Sequence, residues 1–170
     1  DVEVTHVLDP TLLLTANDYN ELCKDIEKRE PFVFAYILDM TEQKVAEMKA
    51  FAEAKGLPYF IKSADADISD ADSIELWLSY FRDAAYVITD SFHGIAFSIN
   101  FNKDFYVYGN AQRGNSRFDS LLGQLGLQDR IIKGKIPTET DNSIDWNKIN
   151  QLKVSALTGS IEWLTTKLRE

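Results

Sequence analysis

The stretch Tyr86-Val87-Ile88-Thr89-Asp90-Ser91-Phe92-His93-Gly94-Ile95-Ala96-Phe97 carries an apolar β run through a short polar turn into an apolar helix. In an open α/β sheet, ligands bind outside the carboxyl ends of the strands, and a helix start there offers free backbone N–H groups to an anion. Asp90 or Ser91 can cap the new helix. Neither has the Glu or Gln three residues on that completes a capping box, because those positions hold His93 and Gly94. Gly94 allows a ligand close to the backbone, and His93, one of only two histidines, can change charge near neutral pH. Two readings fit this turn: a ligand site made by Asp90, Ser91, Phe92, His93 and Gly94, or a capped helix with a satisfied histidine and a packing glycine.

Working toward the N-terminus, Ser73 precedes Ile74, Trp77, Leu78 and Phe81, whose spacing predicts a helix docked on a sheet. Tyr59 to Ile61 reads as a strand. Thr41 caps a helix with Val45, Met48, Phe51 and Ala52 on one face, stopped by Gly56 and Pro58. Pro31 to Leu38 is apolar without alternation, as in a strand buried on both faces. A helix is predicted from about Asn17 to Lys28, after a Val7 to Leu14 segment interrupted by Asp9-Pro10. Cys23 lies within that helix and reads as a buried, inert thiol.

Toward the C-terminus come a helix from Phe92 to Asn100, a strand from Asp104 to Tyr108, a helix from Phe118 to Leu125 and a brief strand from Arg130 to Ile132. Two terminal helices follow, the last with Val154, Leu157, Ile161, Leu164 and Leu168 as its apolar stripe and Trp163 off it. Alternating β and α units of this length predict right-handed crossovers and a doubly wound, mainly parallel Rossmann-like sheet with helices on both faces. The flexible-looking regions are Ser63 to Asp72 and Gly134 to Ser143. The aspartates of the first match no Ca²⁺-loop spacing.

The chain has 170 residues, 45% of them hydrophobic, enough for one domain with a proper core. Its net charge of -9 disfavours nonspecific nucleic-acid binding. There is no run of about 18 apolar residues to span a membrane, and no secretory signal pattern. The lone cysteine excludes an internal disulfide. The chain begins at Asp1 and its first methionine is Met40, which predicts a piece of a longer protein.

A second cluster, Gly109-Asn110-Ala111-Gln112-Arg113-Gly114-Asn115-Ser116-Arg117-Phe118-Asp119, follows the strand that ends at Tyr108. Two arginines among glycines and amides suit a carboxylate or phosphate, which guanidinium groups grip bidentately. Arg113, Asn115, Ser116 and Arg117 are therefore candidate anion-binding residues. Loops after neighbouring parallel strands share an edge, so this cluster should lie near His93. Alternatively, Arg113 or Arg117 pairs with Asp119 or Asp90, and Ser116 is only a cap. No phosphate-loop, dinucleotide-binding, metal-ligand or nucleophile-elbow motif is present, so no metal is expected. His6, remote in sequence, reads as structural.

The stretches Val7–Leu14, Val87–Gly94, Phe97-Ser98 and Asn115–Leu122 resemble the polysaccharide pyruvyl transferase family. The resemblance covers nearly the whole chain but only the C-terminal half of the family's usual length. It implies the second of two Rossmann-like domains of a GT-B type enzyme, with an N-terminal half of the same protein supplying part of the cleft. The C-terminal helices, about residues 144–170, are then a surface for that half, and the fragment alone is expected to be inactive.

The activity implied is transfer of a pyruvyl group from phosphoenolpyruvate to two hydroxyls of a sugar or lipid-linked saccharide, forming a ketal in cell-surface polysaccharide. His93 is implied to hold or protonate the phosphoenolpyruvate, a donor substrate, and no cofactor is expected. The resemblance also implies a cytoplasmic location, peripheral at the inner membrane face. Two other readings stay open: a glycosyltransferase domain using a nucleotide sugar, and a non-catalytic anion-binding domain.

Overall fold

The computed structural model describes residues 4–63, 72–109, 115–138 and 143–169. Four parallel strands form one sheet: β1 (Val33–Ile37), β2 (Tyr59–Ser63), β3 (Tyr86–Thr89) and β4 (Asp104–Val107), in the order β2-β1-β3-β4. The register sets Val33 against both Tyr59 and Tyr86, so the carboxyl ends of β1 and β3 lie side by side. The helices among the described residues are α1 (Ala16–Leu22), α2 (Glu42–Lys55), α3 (Ile74–Asp83), α4 (Phe92–Asn100), α5 (Ser116–Leu125) and α6 (Trp146–Lys167).

Successive strand residues face opposite layers. Val33, Ala35, Ile37, Ile88 and Tyr106 meet Met48, Phe51 and Ala52 of α2. Phe32, Phe34, Val87, Phe105 and Val107 meet the larger layer that holds α3, α4 and α5. The expected Rossmann-like α/β arrangement is therefore present. Local signals end α2 as read, with Thr41 accepting from the Lys44 N–H and Gly56 closing the helix at φ +64°.

Several boundaries differ from the sequence reading. α1 stops at Leu22, and Cys23 is its buried C-cap, with its thiol on the Tyr19 carbonyl. The cause is tertiary: Arg82 of α3 donates to the carbonyls of Cys23 (2.7 Å) and Ile26 (3.1 Å), satisfying groups that a longer helix would have used itself. On α3 itself, Ile74 is 70% exposed, while Tyr80 enters the core and stacks on Phe34. Arg130 to Ile132 is not a strand but a 3₁₀ turn, Gln128–Arg130, followed by a single bridge from Ile131 to Val107.

One helix, α6, occupies residues 146–167, and its buried face takes in only part of the expected stripe. Leu157 packs against the core and Leu164 is half-buried, as the stripe predicts, but Val154 (59% exposed), Ile161 (45%) and Leu168 (87%) point to solvent, while Ile149, Lys153, Ala156, Ser160 and the half-buried Trp163, all off the stripe, turn inward. What α6 covers is partly polar. Ser160 Oγ accepts the Leu8 N–H at 3.0 Å, and Lys153 donates to the amide oxygen of Asn100. Ser63 to Asp72 and the second polar segment fall partly outside the described residues.

Candidate functional site

The strand order reverses between β1 and β3, with α2 leaving one strand on one face and α4 leaving the other on the opposite face. That divergence opens a crevice at the two carboxyl ends, the usual ligand position in such sheets. The chain's own carboxylate fills its deepest part. Asp90, 1% exposed, accepts the N–H groups of Leu38 (2.6 Å) and Asp39 (3.1 Å) and the Lys44 ammonium (2.7 Å). Lys44 also donates to the Asp39 carbonyl. Asp90 thus ties the loop after β1 to the turn after β3, and its oxygens are turned toward the protein. Burial, and then the nearby Asp90 charge, push the Tyr36 phenol up.

The turn itself is fixed tightly. Thr89 donates to the Tyr36 carbonyl at 2.6 Å and accepts the Ser91 N–H at 3.1 Å. Ser91 caps α4 through the Gly94 N–H at 3.4 Å, and Ser98 donates to the Gly94 carbonyl. The backbone of Gly94 lies so close to Thr89 that a Cβ there would stand 2.2 Å from the hydroxyl oxygen. This contact accounts for the glycine without any ligand. The N–H groups of Phe92 and His93 at the first turn find no acceptor among the described residues, and the His93 ring is exposed.

The second cluster reaches the first, as the strand order led us to expect. The Arg117 guanidinium lies 5.1 Å from the centre of the Phe92 ring, and among the described residues no carboxylate pairs with it. Ser116 and Arg117 form the first turn of α5, whose N-cap Asn115 makes no side-chain cap bond. Two helix starts therefore meet through the Arg117 guanidinium and the Phe92 ring, and at that of α4 the Phe92 and His93 N–H groups find no acceptor among the described residues. Together they present positive potential in a chain of net charge -9. Arg113 lies outside the described residues.

A cavity of about 340 Å³ adjoins this arrangement, walled by Arg117 and Phe92 on one side and by His6, Leu8, Asp9 and Leu12 on the other. His6, remote in sequence, is at this wall: Gln124 Nε2 lies 3.0 Å from its Nδ1 and Ser120 Oγ 3.3 Å from its Nε2. Local pattern gave no signal for this, since 114 residues separate His6 from Ser120. On the opposite layer Tyr108 donates to Glu47 at 2.8 Å, and burial followed by that bond raises its phenol pKa. Among the described residues no group of His, Cys, Asp and Glu side chains could hold a metal ion, and no helix is long and apolar enough to cross a membrane.

A family model described as polysaccharide pyruvyl transferase matches residues 1–112. No curated protein matches. A solved structure that does match, the crystal structure of the RPS4 and RRS1 TIR domain heterodimer, shares 15% identity, covering 78% of this chain and 97% of that one, with a TM-score of 0.40. That likeness is too slight to carry an argument.

Proposed function

The chain belongs to the polysaccharide pyruvyl transferase family, and on that premise we propose that it binds phosphoenolpyruvate at the meeting of α4 and α5 for transfer of its pyruvyl group to a sugar. The observation that carries this reading is the Arg117 guanidinium, free of any described carboxylate, over the ring of Phe92, the residue that opens α4, where the Phe92 and His93 N–H groups find no acceptor among the described residues. A donor with one phosphate and one carboxylate needs fixed positive charge and N–H donors that are already in place.

In this reading His93 delivers a proton to the methylene carbon of the donor, which makes the adjacent carbon electrophilic. A sugar hydroxyl adds there and returns a proton to the His93 imidazole, the bond between that carbon and the phosphate's bridging oxygen breaks, and inorganic phosphate leaves. A second hydroxyl then closes the ketal, its proton departing with the phosphate. Acid–base assistance of this kind contributes about 10² to 10⁴ in rate. The exposed ridge of Val154, Ile161 and Leu168 on α6 supports docking to a second domain of the same protein, as a two-domain, GT-B-like enzyme requires.

The test is an NMR titration of the chain with phosphoenolpyruvate. We expect saturable shifts at the Phe92 to Gly94 amides, the His93 ring and Arg117, weakened by Arg117→Ala. In an active full-length enzyme, His93→Ala should lower turnover by about tenfold or more. A titration in which those amides stay still at millimolar donor defeats the proposal.

A further inference from the structure

The cavity beside Arg117 is built by elements far apart in the chain. Leu8 is anchored to α6 through Ser160, and His6 to α5 through Ser120 and Gln124, so the N-terminal segment forms a fixed wall. An amide nitrogen can only donate, so Gln124 Nε2 assigns His6 Nδ1 as acceptor. In the neutral ring Nε2 then carries the proton and donates to Ser120 Oγ. That leaves the Ser120 O–H to donate and the Gln124 Oε1 to accept. Asp9 uses Oδ1 on the Thr11 N–H and retains its second oxygen as an acceptor.

The lining thus offers both donors and acceptors beside the apolar Leu8, Leu12 and Leu121. Hydroxyl groups, each both donor and acceptor, match such a lining. A second anion does not, because Asp9 would oppose it. A nucleobase is disfavoured as well: Phe92, the aromatic ring of this wall apart from His6, already carries the Arg117 guanidinium. The volume of about 340 Å³ suits a single sugar ring.

We infer that this cavity seats the acceptor as a hexopyranose, with Ser120, Gln124 and Asp9 reading its hydroxyls and His6 holding Ser120 and Gln124 in their roles. This rests on the donor reading above, because the cavity shares Arg117 and Phe92 with that site. His6 acts as a positioning residue.

The test titrates the 170-residue chain with the methyl pyranosides of glucose, galactose and mannose, separately from phosphoenolpyruvate. Saturable shifts at His6, Ser120, Leu121 and Gln124 with at least one glycoside are expected. His6→Ala and Gln124→Ala should each weaken that glycoside by about threefold or more, with phosphoenolpyruvate shifts at His93 unchanged. Phosphoenolpyruvate binding without any glycoside shift at the cavity overturns this inference and leaves the donor reading standing. Glycoside binding at the cavity without phosphoenolpyruvate binding defeats the donor reading and, with it, the acceptor role inferred for the cavity. Glycoside affinity unaltered in both variants overturns the assigned contacts.

Discussion

Replacing Gly94 by alanine tests how tightly the turn is packed. The added Cβ would meet Thr89 Oγ1 at 2.2 Å, Thr89 Cβ at 2.8 Å and Cγ2 at 3.0 Å. Ordinary contacts need about 3.5 Å, so α4 or Thr89 must give by roughly 1 Å. Thr89 is fully buried and its hydroxyl makes two hydrogen bonds, so rotating it away would forfeit about 1 kcal/mol for each. Moving α4 disturbs a helix buried along nearly its whole length. Overpacking of this kind costs about 1–3 kcal/mol, offset by up to about 1 kcal/mol of helix propensity. A net loss of about 1–2 kcal/mol corresponds to a Tm lower by roughly 2–8 °C in a chain of this size. Circular dichroism melts measure it, with Gly159→Ala as the control. That position has nothing within 4 Å and should gain stability. A Gly94→Ala protein melting at or above the wild type would refute the packing argument.

Lys44→Met leaves the fully buried Asp90 carboxylate without its ammonium partner and should cost about 3 kcal/mol, partly recovered in Lys44→Met/Asp90→Asn; urea denaturation of the single and double variants decides it. The raised Tyr108 pKa means that the folded state holds its proton longer than the unfolded chain. The stability this contributes is complete below the unfolded value of about 10 and falls as pH rises above it. Tyr108→Phe should therefore lose about 1 kcal/mol at pH 8 and show a shallower alkaline decline than the wild type, measured by the same unfolding midpoints at the two ends of that range.

The strands and α2, α3 and α4 were legible because their determinants are local. Buried apolar runs sit between Thr41, Ser73 and Ser91 caps and the Gly56 stop, and the β3–α4 turn falls where Tyr86 to Phe97 locates it. Periodicity failed where the neighbour was polar. α6 turns Ser160 and Lys153 inward because they meet a backbone N–H and an amide, leaving Val154, Ile161 and Leu168 of its apolar stripe outside. The end of α1 depends on Arg82, a residue 59 positions from Cys23, and no helix signal near Cys23 announces it. At the site, the approach of Arg117 on α5 to Phe92 agrees with the strand order. The inward commitment of Asp90 does not follow from it, since its partners Leu38, Asp39 and Lys44 come from the loop and helix after β1.

The bond between Leu8 and Ser160 spans 152 residues, nearly the length of the chain. During synthesis the strands can pair and α2 to α4 can pack well before Ser160 leaves the ribosome. The segment bearing His6 and Asp9 has no anchor on α6 until then. The cavity is therefore among the last features to mature, and a nascent chain acquires its sheet while still unable to close the wall beside Arg117.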